Sequence, residues 1–209
     1  MNRHLPSTSP LVPGVVKPAT RGEQVAHWIS QLGSPPALSL LAVALTSLLL
    51  DLAAFWALVY LVFAVCLPIG YVIWLVRRGR VTDLDLQLRE QRTRPFVVTL
   101  AGQALALGLL VLGKGPYPLA LVAGTALIQT LCIFLITLRW KISVHTSTAA
   151  SITVLVWSVA GGVAAAPLVV SVPLIAWSRV KLRRHTPAQT IAGVVLGSTV
   201  FLMALWLLG

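Results

Sequence analysis

The chain has 209 residues, of which 57% are hydrophobic and only 10% are charged, whereas an ordinary soluble domain carries about a quarter charged residues. This composition excludes a typical soluble domain and predicts that lipid surrounds most of the chain. The net charge of +11 comes from 16 Lys and Arg against five Asp and Glu. Because the basic residues cluster between apolar runs, they indicate membrane topology, anionic headgroups or a phosphorylated substrate rather than nucleic acid.

The apolar runs predict an all-α, polytopic transmembrane helical bundle. Several of them approach or exceed the roughly 20 residues that a helix needs to cross a bilayer, and none alternates with the period of a membrane β-strand. We expect a polar, interfacial N-terminal segment at residues 1–36 and a transmembrane domain at residues 37–209. Within the first segment, residues 22–32 predict a short amphipathic helix on the membrane surface.

In chain order, the first apolar block covers residues 38–76, which is too long for a single span at 1.5 Å per residue. We interpret it as two spans with a tight turn near residues 51–55. The remaining predicted spans are residues 96–113, 119–138, 149–160, 163–177 and 190–208, with Gly161 and Gly162 breaking the long run between the third and fourth of these. The pattern predicts seven spans, or six if the first block is a single span.

Three polar segments separate these spans, at residues 77–95, 139–147 and 178–189. Two predicted spans lie between each segment and the next, so all three segments face the same side of the membrane. Each segment places cations beside a hydroxyl, an imidazole or an amide, and each precedes a predicted helix. Helix N-termini offer unpaired N–H groups and a partial positive charge, which suit a phosphate group. Together the segments predict an anion site.

Two histidines in such a site indicate two different catalytic roles. Imidazole titrates near neutral pH, so one ring can attack phosphorus while the other protonates the leaving oxygen. Covalent catalysis through histidine needs no metal. Since the sequence has no carboxylate cluster for Mg²⁺ and no Cys/His set for Zn²⁺, we expect neither a metal nor another cofactor.

Three motifs in these segments resemble signatures of the type 2 phosphatidic acid phosphatase (PAP2) superfamily. Ser178-Arg179, five residues and then His185 resemble its third signature, SR-x5-H-x3-D. The stretch from Ser143 to Thr146 keeps the Ser and His of the second signature, PSGHT. Arg94-Pro95 resembles the end of the first signature, K-x6-RP. The order and the common sidedness also agree, and the resemblance covers residues 87–193.

The resemblance implies a PAP2-like helical core and an enzyme of the phosphoric monoester hydrolase or diphosphatase type. It makes His185 the nucleophile that becomes phosphohistidine and His145 the general acid. It also implies that the phosphoryl oxygens are held by Arg94, Ser143 and Arg179.

Two positions depart from the PAP2 pattern. Gln87 stands where the first signature has Lys, and Arg89, Arg92 or Lys141 is the expected replacement. Gln189 stands where the third signature has the acid that orients the nucleophile. A glutamine can still accept a hydrogen bond from His185, and the dolichyl-diphosphatase branch is similar at this position.

Two other interpretations remain open. A non-catalytic, lipid-binding or transport relative would retain the site without turnover, which Gln87 and Gln189 favour. A membrane prenyltransferase of the UbiA type would use Asp83 and Asp85 to hold Mg²⁺ and a diphosphate, but the sequence lacks a second aspartate-rich motif. Polar residues within the spans, among them Gln103, Gln129 and Ser147, predict hydrogen bonds between helices.

The substrate and the sidedness follow from the same predictions. A phosphate site at the membrane face implies a membrane lipid substrate, with a polyprenyl or isoprenyl phosphate or diphosphate favoured and phosphatidic acid or phosphatidylglycerol phosphate next. Of the 16 Lys and Arg, 15 fall on the side of the polar segments and only Lys114 on the other. The positive-inside rule then places the site on the cytoplasmic side of the cell membrane.

Overall fold

A computed structural model describes residues 20–51 and 53–208, and every regular element in those ranges is helical. In chain order the helices are α1 (Arg21–Leu32), α2 (Pro35–Leu49), α3 (Ala54–Leu61), α4 (Leu67–Arg77), α5 (Thr93–Leu112), α6 (Tyr117–Thr137), α7 (Val144–Lys181) and α8 (Pro187–Leu208). The all-helical prediction is confirmed. Residues 1–19, most of the predicted N-terminal segment, lie outside the described ranges.

Long apolar helices make the chain membrane-integral. In the described ranges five segments are long and apolar enough to cross a bilayer, and α1 with α2, bent by 45°, is a sixth candidate if the pair forms one span. The five are Ala54–Arg77, Arg89–Leu112, Tyr117–Thr137, Val144–Lys181 and Pro187–Leu207. This count takes α7 as one span, although α7 doubles back at Gly161. The number of spans, six or seven, therefore stays a prediction.

The first apolar block divides where the sequence predicts a turn. Helix α2 ends at Leu49 and α3 begins at Ala54, and Asp51 between them has a positive φ of 48°. Helices α3 and α4 then join through a π-helical turn, Val62–Cys66. Gly102 of α5 allows this turn to approach closely, because a Cβ at that position would collide with the carbonyl oxygen of Phe63.

Helix α7 folds back on itself at Gly161, which confirms the predicted break. Gly161 has φ 79° and ψ 175°, a non-helical conformation that glycine adopts without a Cβ penalty. A straight helix would place His145 and Arg179, 34 residues apart, about 51 Å from each other. Instead, Arg179 NH1 lies 3.3 Å from His145 Nε2. The two arms, residues 144–160 and 162–181, are therefore antiparallel.

The first arm of α7 packs closely against α8 through two glycines one turn apart. A Cβ on Gly193 would lie 2.6 Å from the carbonyl oxygen of Ser143, and one on Gly197 would lie 2.9 Å from Ser151 Oγ and nearer still to the carbonyl oxygen of Ser147. Small residues spaced by four let helix backbones approach in a membrane. This contact holds the start of α8, and with it the third polar segment, against the start of α7.

Helix α1 confirms a short helix in the predicted range, and its place on the membrane surface stays a prediction. Thr20 and Glu23 form a capping box at its N-terminus, each side chain accepting from the other's backbone N–H at 3.2 Å. The face with Ala26 and Ser30 is buried against the rest of the protein. Its apolar side chains Val25, Trp28 and Leu32 point outward and are exposed.

We predict that Gly197→Ala destabilises the protein, because the added methyl group must separate α7 from α8. Gly108→Ala is the matched control, since a Cβ on Gly108 of α5 meets nothing within 4 Å and alanine favours a helix by up to about 1 kcal/mol over glycine. Thermal unfolding in detergent should show a lower midpoint for Gly197→Ala and an unchanged or higher one for Gly108→Ala. Equal midpoints would contradict the close packing.

Candidate functional site

The three polar segments meet at one end of the bundle. Arg89 NH1 of the first segment donates to the carbonyl oxygen of Arg139 in the second, at 2.8 Å. Lys141 Nζ of the second donates to the carbonyl oxygen of Arg184 in the third, at 2.7 Å. Arg179 of the third forms a salt bridge of 3.0 Å with Asp85 of the first. The fold therefore brings the three polar segments into contact with one another.

Arg179 lies at the centre of this cluster and is only 1% exposed. Its NH1 lies 2.6 Å from Ser30 Oγ, 3.0 Å from Asp85 Oδ2 and 3.3 Å from His145 Nε2. NH1 carries two protons, so these three acceptors compete for two hydrogen bonds. The Nε atom of the same guanidinium is buried and has no partner among the described residues. Arg179 NH1 therefore has more potential acceptors than protons, whereas Nε donates to no described residue.

Asp85 supplies negative charge in the middle of a cationic cluster. Burial opposes its ionisation, but the positive charges of Arg179 and Arg184 outweigh burial and hold the pKa of Asp85 below its usual value. The carboxylate is therefore ionised at neutral pH and occupies one edge of Arg179. An anionic ligand must share that guanidinium with Asp85 or displace it.

The tautomer of His185 follows from its hydrogen bonds. Gln189 Oε1 lies 3.2 Å from the backbone N–H of Thr186, which can only donate, and 3.0 Å from His185 Nδ1. An oxygen that accepts from Thr186 must also accept from His185, so Nδ1 carries the proton and Nε2 has a free lone pair. The predicted hydrogen bond between Gln189 and His185 is present, and its role in orienting a nucleophile stays a prediction.

His185 is also held neutral. Burial, followed by the positive charges of Arg179, Arg92 and Lys141, lowers the pKa of His185 to about 3. The ring therefore keeps its Nε2 lone pair at every pH above about 4. A neutral imidazole with a free Nε2 is chemically a nucleophile or a base.

His145 is arranged differently. Its Nε2 accepts from Arg179, since a guanidinium can only donate, so the proton of the neutral ring lies on Nδ1. In this state His145 cannot act as an acid through Nε2. It gains that ability when Arg179 turns toward another acceptor and the ring takes up a proton.

Three further cations surround the two histidines. Arg92 is buried and donates from Nε to the carbonyl oxygen of Leu86 at 2.8 Å. Arg184 NH1 is buried without a partner among the described residues. Burial, followed by the charges of Arg92, Arg179 and Arg184, lowers the pKa of Lys141 to about 8. Unpaired buried cations are costly, and an oxyanion would stabilise them.

A cavity of about 460 Å³ opens from this cluster into the bundle. Its polar end is formed by Asp85, Arg92, His145, Arg179 and His185. Its interior is mostly apolar and is lined by residues of α2, of α3 and α4, and of α5 to α8. The shape is that of a site for a charged head and an apolar chain.

The structure brings only part of the predicted set into the cavity: His145, His185 and Arg179 line it. Ser143 is fully buried but caps α7, accepting from the N–H of Thr146 at 3.4 Å. Arg94 is exposed and does not line the cavity, and Arg89 instead binds backbone carbonyls at the surface. Of the replacements expected for the lysine missing at Gln87, Arg92 lines the cavity.

Two residues of the site went unpredicted in these roles. The sequence predicts Asp85 only as a candidate metal ligand, whereas in the structure its partner is Arg179. Ser30 lies on α1, 149 residues from Arg179, and nothing in its neighbourhood signals an active-site contact. In the described ranges no group of three or more His, Cys, Asp or Glu residues could hold a metal ion.

Comparisons of this chain with protein-family models, with curated proteins and with solved structures found no match. The likeness to PAP2 signatures therefore rests on the residues of the three segments alone.

We predict that the cluster binds a dianion such as sulfate and that binding weakens as the pH rises from 7 to 9. Lys141, with a pKa of about 8, is charged below that pH and neutral above it. Losing one partly buried cation near the anion should reduce affinity about tenfold. Titration calorimetry with Lys141→Arg should show no such fall, since arginine stays charged.

Lys114→Arg is the matched control, because Lys114 is exposed and lies between α5 and α6, away from the polar segments. It should retain the wild-type pH dependence. A fall between pH 7 and 9 that persists in Lys141→Arg would show that Lys141 does not face the anion.

Proposed function

We propose that this chain is a membrane-embedded phosphatase that hydrolyses a lipid phosphomonoester or diphosphate through a phosphohistidine at His185. The observation that carries the proposal is a cavity whose charged end is lined by two histidines and two arginines, His145, His185, Arg92 and Arg179. A phosphoryl group at that end can accept hydrogen bonds from the arginines, as in many phosphate sites.

The geometry supports His185 as the nucleophile. Its Nε2 lone pair attacks phosphorus while Gln189 holds Nδ1–H, and the bond from phosphorus to the leaving oxygen breaks. Arg179 and Arg92 neutralise the charge on the phosphoryl oxygens, which is the main requirement of phosphoryl transfer. Gln189 steadies the developing imidazolium less than a carboxylate would, because an amide is neutral.

His145 moves the protons. A phosphoryl oxygen that takes over the Arg179 donor frees His145 Nε2, and the adjacent negative charge favours the protonated ring. His145 then gives its proton to the leaving oxygen. In the second step a water molecule attacks the phosphohistidine and gives a proton back to His145. The N–P bond breaks, and inorganic phosphate and neutral His185 are formed.

The apolar interior of the cavity supports a lipid as the substrate. An isoprenyl or polyprenyl phosphate or diphosphate is the favoured class, and phosphatidic acid or phosphatidylglycerol phosphate is the alternative. The proposal requires no metal, since the cations of the cluster take that role.

We predict that purified protein releases phosphate from an isoprenyl diphosphate or from phosphatidic acid in the presence of EDTA. His185→Ala should reduce the rate by at least about a thousandfold, because it removes the atom that forms the intermediate. His27→Ala is the matched control, since His27 lies on α1 and does not line the cavity.

The intermediate itself should be trapped as an acid-labile phosphohistidine in the wild type and be absent in His185→Ala. Hydrolysis that is equal in wild type and His185→Ala would contradict the mechanism. Binding of lipid phosphate without any turnover would support the non-catalytic alternative instead.

We also infer that the site faces the cytoplasm of a cell membrane, which the concentration of cations at this end of the bundle supports. Arg183 is an exposed residue beside the cluster, so Arg183→Cys reports the sidedness. A membrane-impermeant maleimide should label it in inside-out vesicles and not in intact cells. Labelling in intact cells would place the site on the outer face.

A further inference from the structure

An aromatic and cationic patch lies at the end of α4, apart from the cavity. Trp74 is 41% exposed, and its ring stacks on that of Tyr71 with the ring centroids 5.8 Å apart. The guanidinium carbons of Arg78 and Arg80 lie 5.7 Å and 5.3 Å from the centroid of the Trp74 ring. These four side chains form the α4 patch, and none of them is among the described residues that line the cavity.

The turn that ends α4 builds this patch. Gly79 has a φ of 64°, and its N–H donates to the carbonyl oxygen of Val76 at 2.9 Å. The N–H of Arg80 donates to the carbonyl oxygen of Leu75, also at 2.9 Å. These two bonds make a Schellman motif, which needs the left-handed conformation that glycine adopts without a Cβ penalty. Because the chain reverses here, Arg80 returns to the indole ring that Arg78 already contacts.

The two arginines of the patch have no acidic partner. All five Asp and Glu of the chain lie in the described ranges, and neither of the two ion pairs in those ranges involves the patch. Arg78 and Arg80 are exposed, and their guanidinium carbons can be no farther apart than the two ring distances together, about 11 Å. Two like charges held this close repel each other, and an anion beside both would remove that repulsion.

The patch lies at the depth of a lipid headgroup. Helix α4 ends the segment Ala54–Arg77, which is long and apolar enough to cross a bilayer, and the two arginines follow directly. Trp and Tyr favour the interface between hydrocarbon and water, and Tyr71 lies about 4.5 Å deeper than Trp74 along the helix. The aromatic rings therefore lie beside the upper acyl chains, and the guanidinium groups lie beside the headgroup phosphate.

We propose that the α4 patch binds the headgroup of an anionic phospholipid of the surrounding bilayer, with Arg78 and Arg80 donating to its phosphate. A guanidinium that lies over an aromatic ring keeps N–H groups at its edge for a phosphate. The Trp74 ring positions both arginines before the lipid arrives, so less side-chain freedom is lost on binding. A zwitterionic lipid is a poorer ligand, because the patch offers its ammonium group no carboxylate.

This lipid site is independent of the proposed phosphatase function, since the α4 patch and the cavity share no residue. The test is native mass spectrometry of the purified protein after incubation with an equal mixture of phosphatidylglycerol and phosphatidylcholine. The wild type should retain phosphatidylglycerol in excess. Replacing both arginines, Arg78→Gln with Arg80→Gln, should lower the ratio of the two bound lipids at least about tenfold.

Lys181→Gln with Arg183→Gln is the matched control. It removes the same charge from exposed positions at the same end of the bundle, where neither side chain lies over an aromatic ring of the described residues. This variant should keep the wild-type ratio. An equal fall in both double variants would show that net positive charge alone attracts the lipid, and that result would overturn the proposal. A wild-type ratio of about one would do the same.

Two further measurements test whether the site is preformed and whether it takes a lipid. Trp74→Leu keeps both charges but removes the ring that positions them, so the ratio should fall, though less than in the double arginine variant. Glycerol phosphate carries the same phosphate without acyl chains and should not displace the bound lipid. An unchanged ratio in Trp74→Leu, or displacement by glycerol phosphate, would overturn the proposal of a preformed lipid site.

Discussion

The burial of the Arg179 guanidinium is the constraint on which the rest of this structure depends. Removing a cation from water costs several kcal/mol unless partners compensate, and Arg179 is almost completely buried. Its partners come from α1, through Ser30, from the segment before α5, through Asp85, and from the start of α7, through His145. Three parts of the chain must therefore be in place before this charge can be buried.

The fold meets that requirement by doubling α7 back at Gly161 and by packing α8 closely against its first arm. The first feature brings residues 34 positions apart into contact. The second holds the start of α8 against the start of α7, so that His185, which precedes α8, lines the same cavity as Arg179. Both features depend on glycine, once for its conformation and once for its size.

The sequence predicts the helical bundle, the turn after α2, the break at Gly161 and the convergence of the polar segments, because hydropathy, glycine positions and charge clustering report these directly. Motif likeness identifies His145, His185 and Arg179 as neighbours, and spacing pairs His185 with Gln189. Motif likeness does not distinguish Arg92, which lines the cavity, from Arg94, which is exposed. Which of two neighbouring arginines faces the cavity depends on how the start of α5 packs. Ser30 and Asp85 join the site only through tertiary contacts, which have no local signature.

The cluster and the cavity form a single amphipathic site in which each half explains a feature of the other. An anion would compensate the cations at the charged end, and an apolar chain attached to that anion would fit the apolar interior behind them. Asp85 compensates the charge of the Arg179 guanidinium, and the neutral His185 lines the same cavity.

The most direct test of this account is a structure determined with bound tungstate, a heavy analogue of phosphate. The account predicts one tungstate at the charged end of the cavity, within hydrogen-bonding distance of the Arg179 guanidinium and facing His185 Nε2, with Asp85 moved away from its present 3.0 Å contact with Arg179. Tungstate bound only to exposed arginines, with the Asp85–Arg179 pair unchanged, would contradict the central claim that this cluster is an oxyanion site.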